Sequence, residues 1–162
     1  MTIDFLTPGD VAGCLAIYNY YVENTTVTLE EEPLTLAQYQ ARAEEVTAVY
    51  PFLVARDEGG QPVGFAYLSA FSPRTGYRRT ADLSIYVHPD CRHASLGSQL
   101  LARLEPLARD MGVTNIISII TSTNEASCRF HARHGFLLEG ELHHVAIKFG
   151  EDLGVRYYRK PL

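Results

Sequence analysis

Between Ala81 and Gly112 the apolar residues change their period once, and the rest of the chain reads outward from that change. Leu83, Ile85 and Val87 alternate with Ser84, Tyr86 and His88, the period of a strand with two unlike faces. Pro89 ends the alternation. From Leu96 the apolar positions Leu96, Leu100, Leu101, Leu104, Leu107, Ala108 and Met111 take helical spacing, which predicts a helix closed by Gly112. Pro106 lies inside it and predicts a kink or the loss of one backbone bond.

Upstream, residues 3–6 read as a strand, and Thr7-Pro8-Gly9-Asp10 as a helix start that puts Val11, Leu15, Tyr18 and Val22 on one stripe. Residues 25–34 read as a loop and 35–49 as a second helix stopped by Pro51. Residues 52–56 and 63–71 form a hairpin around Asp57-Glu58-Gly59-Gly60. Downstream, the apolar run 115–121 predicts a buried central strand and 124–133 a short helix. Two further strands, 141–149 and 155–158, flank a loop running from Gly150 to Gly154. Strands and helices alternate without repeats or a linker, so the expectation is an α/β fold: one domain over residues 1–162, a mixed sheet with helices on both faces.

Composition narrows the partners. At 162 residues, 46% hydrophobic and 20% charged, the chain suits one globular core. Its apolar runs are too short to cross a bilayer and its first residues do not resemble a signal peptide, so a cytoplasmic location is expected. A net charge of −5 argues against nucleic acid or an anionic membrane as partner. Cys14, Cys91 and Cys128 are far apart and form no metal-binding pattern, so neither a disulfide nor a metal is expected. Charge is uneven. Up to Tyr50, Arg42 faces eight acids, whereas residues 71–93 carry Arg74, Arg78, Arg79 and Arg92 against Asp82 and Asp90. Positive charge is therefore expected to gather beside the loop after the organising strand.

That loop has its own chemistry. Arg92, His93, Ala94, Ser95, Leu96, Gly97 and Ser98 place small and basic residues where a strand hands over to a helix. Unpaired N–H groups and the helix dipole would meet there, a point suited to a diphosphate. The pattern resembles the acetyl-CoA-binding loop of the GCN5-related N-acetyltransferases (GNAT), with Ser95 where the family usually has its first glycine. The departure at Ser95 matters if that position needs positive φ or a very close backbone approach.

Further blocks are similar to the phosphinothricin and methionine sulfoximine acetyltransferase branch of that family. They are Tyr21 with Thr26-Val27-Thr28 before Glu32-Pro33; Tyr50-Pro51-Phe52-Leu53-Val54-Ala55; Arg74 and Tyr77 before Ala81; Tyr86-Val87; Asn124, Ser127, His131 and Gly135-Phe136; and Lys148-Phe149-Gly150. The resemblance implies a sheet of about seven strands with about four helices, acetyl-CoA as cosubstrate, a small amino-acid-like amine as acceptor, and a homodimer. The branch commonly has Glu at Asp82, Phe at Leu29, and Trp at Phe52 and Leu153; loss of bulk at Leu29 and Leu153 would reshape an acceptor pocket.

For the chemistry, an α-amino group is largely protonated at neutral pH, so a base is needed. Asp82 is the first candidate, the alternative being that it caps or pairs with an arginine of the preceding loop. His131 is the second, either as base or as acid toward the leaving thiolate, or as a simple packed histidine. Arg74 and Tyr77 could hold an acceptor carboxylate, with Ser84 and Tyr86 lining the amine pocket on the face of Asp82. Tyr86, Val87 and His88 would offer backbone groups to the pantetheine amides, and Asn124 and Ser127 would lie near the thioester. Other readings are acetylation of a peptide N-terminus or polyamine, and a non-catalytic acyl-CoA sensor.

Overall fold

The computed structural model describes residues 1–92 and 95–162. Seven strands form one sheet in the order β1-β2-β3-β4-β5-β7-β6: β1 Thr2–Phe5, β2 Phe52–Arg56, β3 Pro62–Ala70, β4 Thr80–Val87, β5 Asn115–Thr121, β6 Leu137–Lys148 and β7 Glu151–Pro161. Four helices cover it: α1 Val11–Asn24, α2 Leu36–Thr47, α3 Leu96–Asp110 and α4 Glu125–Arg133. Strand alternation divides the interior into two cores. Leu53, Ala66, Leu83 and Ile116 pack with Leu100, Leu104 and Cys128 under α3 and α4. Phe52, Val54 and Phe65 pack with Ile17, Tyr18 and Tyr39 under α1 and α2.

Local chemistry sets the helix ends. Asp10 accepts from the Thr7 N–H and hydroxyl, turning residues 8–10 into a 3-10 lead-in to α1. Thr35 and Gln38 exchange hydrogen bonds at the start of α2, a capping box. Asn124 caps α4 through the Ser127 N–H. α3 runs unbroken through Pro106, so the proline's effect is the bond that its missing N–H cannot make.

The C-terminal hairpin differs from expectation. β6 begins at Leu137 rather than 141, and β7 at Glu151 rather than 155. Phe149 and Gly150, at φ 52° and 72°, make the turn by themselves, the left-handed pair that favours a tight hairpin. Asp152 and Gly154 are poor strand formers, but Gly154 sits under a bulge of β6 between Leu142 and Ala146. A Cβ there would lie 2.6 Å from the Leu142 carbonyl, so glycine is what lets the two strands pass.

All neighbouring strands are antiparallel except β4 and β5, which pair over three positions: Thr80 with Asn115, Ala81 with Ile116 and Asp82 with Ile117. Beyond Asp82 the two strands part.

Candidate active site

Two connected cavities lie where β4 and β5 separate. The smaller, about 110 Å³, is lined by Leu83, Ser84, Ser118, Ile120 and His131 among others. The larger, about 370 Å³, runs past Tyr21, Arg92, Leu96, Gly97, Phe130 and Arg133. Val27, Ile85, Tyr86, Asn124 and Ser127 line both, which makes one continuous cleft.

The β3–β4 register decides which backbone groups face it. His88 donates its N–H to the Val63 carbonyl, and Phe65 lies opposite Tyr86 and Gly64 opposite Val87. In an antiparallel ladder this alternation commits the groups of Tyr86 and His88 to β3 and turns those of Ile85 and Val87 toward the gap. Against the expectation for Tyr86 and His88, their backbone groups are spent on β3, and those of Ile85 and Val87 are the ones turned to the gap. The Val87 carbonyl already accepts the Tyr21 hydroxyl. The His88 ring accepts from the Asp90 N–H instead of lining the cleft.

At the start of α3, Ser95 stands at φ 51°, the left-handed conformation in which a glycine would be unstrained. Gln99 N–H to Ser95 carbonyl is an early helix bond, so the N–H groups of Leu96, Gly97 and Ser98 have no partner within the helix. Gly97 is needed for a second reason: a Cβ there would meet the Phe130 ring at 3.2 Å. The Arg92 guanidinium lies over the Tyr21 ring, 5.5 Å from its centroid. His93 and Ala94 lie outside the described residues. These groups fit a diphosphate carrier, with N–H donors, Arg92 and Arg133 along the larger cavity and edge amides of β4 further in.

The arginines expected beside this loop are elsewhere. Residues 74–79 precede β4 and the loop follows it, so the eight-residue strand separates them by about 25 Å. Arg79 bonds the Gly112 carbonyl and Arg78 the Thr75 carbonyl. Arg74 is exposed, and Tyr77 packs edge-on against Phe71; neither lines the two cavities, nor does Leu29.

Asp82 sits at the last paired position before the strands part. One carboxylate oxygen is buried without a hydrogen-bond partner, and burial pushes the carboxyl up to about 6. Among the described residues it forms no ion pair, so the pairing with a loop arginine is not what the fold uses. By strand alternation it shares the face of Ser84 and Tyr86, whose ring meets Tyr18 and Tyr21 under α1.

His131 belongs to the opposite face, with its ring against Phe136 and Tyr158. Its Nδ1 bonds the Ser127 carbonyl at 2.8 Å. A carbonyl only accepts, so Nδ1 carries the proton and Nε2 a lone pair. Burial lowers its pKa to about 4, which keeps the ring neutral at pH 7. His131 lines the smaller cavity, whereas Asp82 lines neither and lies on the opposite face of the sheet, at the last paired position before the gap opens.

The Acetyltransferase (GNAT) family model matches residues 9–136. The chain belongs to that family. It is 40% identical over 149 residues to a Pseudomonas aeruginosa L-methionine sulfoximine/L-methionine sulfone acetyltransferase, covering 91% of this chain and 87% of that one. A Sinorhizobium meliloti phosphinothricin acetyltransferase solved with acetyl-CoA superposes with a TM-score of 0.96 at 33% identity, covering 99% and 88% of the two chains. A Brucella melitensis structure described as a ribosomal-protein-alanine N-acetyltransferase matches with a TM-score of 0.96 at 36% identity over all of both chains. Tyr21, Ser118, Phe130 and Arg133 also line the cleft, beyond the residues expected there; for Ser118 the signal is a serine inside the apolar run 115–121, since a buried hydroxyl needs a partner. Among the described residues no group of three or more His, Cys, Asp or Glu side chains could hold a metal ion, and no helix is long and apolar enough to cross a membrane.

Proposed function

We propose that this chain, acting as one domain over its length, moves the acetyl group of acetyl-CoA to the α-amino group of a small amino-acid-like acceptor of the methionine sulfoximine or phosphinothricin type. The observation that carries the reading is the gap itself: a buried carboxylate with a free oxygen on one face, a neutral imidazole on the other, and a cleft with anion-binding donors leading into it. Methionine sulfoximine is the acceptor printed for the Pseudomonas relative.

In this mechanism Asp82 takes a proton from the acceptor's ammonium, directly or through a water, because a carboxyl raised to about 6 is ionised at pH 7 yet basic enough to work. The amine then attacks the thioester carbonyl, and a gap-facing N–H of β4 stabilises the oxygen that gains charge. His131 with Nδ1 protonated cannot donate from Nε2, so its part is to accept a hydrogen bond. Arg92, the N–H groups of Leu96, Gly97 and Ser98, and the outer cleft with Arg133 hold the carrier; Asn124 and Ser127 line its inner end. Arg74, Tyr77 and Leu29 contribute to acceptor binding only if a partner subunit or loop movement completes the pocket.

A homodimer is part of the proposal. β6 is an edge strand with Leu137, Leu138, Leu142, Val145 and Ile147 about half exposed or more, an apolar edge of the kind proteins cover. The cytoplasmic location expected from the sequence is also retained.

The test is release of free thiol from acetyl-CoA with a panel of amino acids, methionine sulfoximine and phosphinothricin, beside peptides with free N-terminal alanine. Thiol release that needs an acceptor carboxylate supports the reading. Release with peptides alone favours the second one, to which the Brucella match points. Tight CoA binding with no acceptor-dependent release refutes both and leaves a sensor.

A further inference from the structure

Two buried polar atoms face the smaller cavity without a protein partner: Ser118 Oγ and His131 Nε2. Ser118 is 3% exposed and His131 2%. Polar atoms so deep are costly unless hydrogen-bonded. Their chemistry is complementary, since Nε2 is fixed as an acceptor by the Nδ1 bond to the Ser127 carbonyl, while the Ser118 hydroxyl carries a proton to donate. Neither residue reaches the other by any direct bond. At about 110 Å³ the cavity is well above the roughly 10–15 Å³ needed to hold one water.

We propose that Ser118 and His131 together hold one water at the gap between β4 and β5, and that this water delivers the proton to the departing sulfur. The inference rests on the acetyl-transfer reading above. The Ser118 hydroxyl donates to the water oxygen, the water donates one hydrogen to His131 Nε2, and its second hydrogen points to the gap. When the tetrahedral adduct collapses, the C–S bond breaks with its electron pair going to sulfur and the carbonyl re-forms. The sulfur takes the water's gap-facing proton, and the nitrogen of the new amide returns its surplus proton to that water. The net change is one proton moved from nitrogen to sulfur. His131 stays neutral throughout, and Ser118 is a positioning residue.

Ser118→Thr and Ser118→Val have nearly the same volume and differ in the hydroxyl. The Thr form should keep kcat within about threefold, and the Val form should lose at least about tenfold with less than a twofold change in the KM for acetyl-CoA. Equal kcat in the two forms overturns the proposal. Ser118→Ala, which cannot overfill the site, should lower kcat as Val does; activity within twofold of the unsubstituted chain overturns it. A readout independent of any acceptor uses the 15N-labelled full chain. His131 should show the Nδ1–H tautomer, and Ser118→Ala should shift the Nε2 resonance while leaving that tautomer in place. An Nε2 resonance unmoved by the substitution refutes the shared water even if every amino acid proves a substrate. A shifted resonance in a chain that acetylates nothing keeps the water and sinks the acceptor reading instead.

Discussion

Asp82→Asn keeps the side chain's size and removes its charge at the point where β4 and β5 part. With burial raising the carboxyl to about 6, about nine in ten molecules carry the carboxylate at pH 7 and about one in ten at pH 5. If this group is the base, kcat/KM should fall about tenfold per pH unit below pH 6. Losing a positioned base costs about 10²- to 10⁴-fold in rate, equivalent to about 3–5 kcal/mol of transition-state stabilisation. The assay is thiol release with methionine sulfoximine from pH 5 to 8, for both forms; their ratio cancels the acceptor's own ionisation. Asp82→Glu keeps the carboxylate and should recover most of the rate. An Asn form within threefold of the unsubstituted chain at pH 7, or one showing the same acid limb, would refute the assignment. Stability follows the opposite sign from rate. Because the folded state holds this proton more tightly than the unfolded one, stability falls as pH rises from 3.8 to about 6, and Asp82→Asn should abolish that fall in urea titrations.

Three further outcomes follow from positions outside the gap. Ser95→Gly relieves a left-handed serine and should raise stability by about 1 kcal/mol after the extra freedom of the unfolded glycine is counted, a Tm increase of about 2–4 °C in calorimetry. Asp10 is pushed up by burial, but bonds from Arg56 and Thr7 outweigh this and hold it below the usual 3.8. Its contribution is therefore fully present above that value and is lost as pH falls toward the lowered folded-state value; Asp10→Asn should cost about 3 kcal/mol at pH 7 and less at pH 3 by urea unfolding. Ile147→Lys places charge on the apolar edge of β6, where the residue is 69% exposed, and should turn a dimer into a monomer in sedimentation equilibrium without lowering Tm; an unchanged mass would place the interface elsewhere.

Much of this architecture was legible because its signals are local. The alternation Leu83 to His88 and the apolar run 115–121 each specify a strand, and Thr7-Pro8-Gly9-Asp10 announces the start that leads into α1. What escaped depends on distant contacts. Leu137 and Leu138 look like loop residues until β7 pairs with them. Asp152 and Gly154 read as turn until the bulge above Gly154 explains the glycine. Charge counted along the chain places Arg78 and Arg79 beside the diphosphate loop, yet a full strand intervenes. The opposite placement of Asp82 and His131 follows from register and the partner of Nδ1, neither of which composition encodes.

Three residue pairs, with the Thr114 and Asn115 N–H groups donating to the Arg79 carbonyl just before them, stitch one half of the sheet to the other along the β4–β5 seam. Ala81 and Ile116, both fully enclosed at its closed end, therefore act as the fulcrum of a wedge. A methyl group added at either would overpack the seam, at a cost of about 1–3 kcal/mol, from positions that line neither cavity.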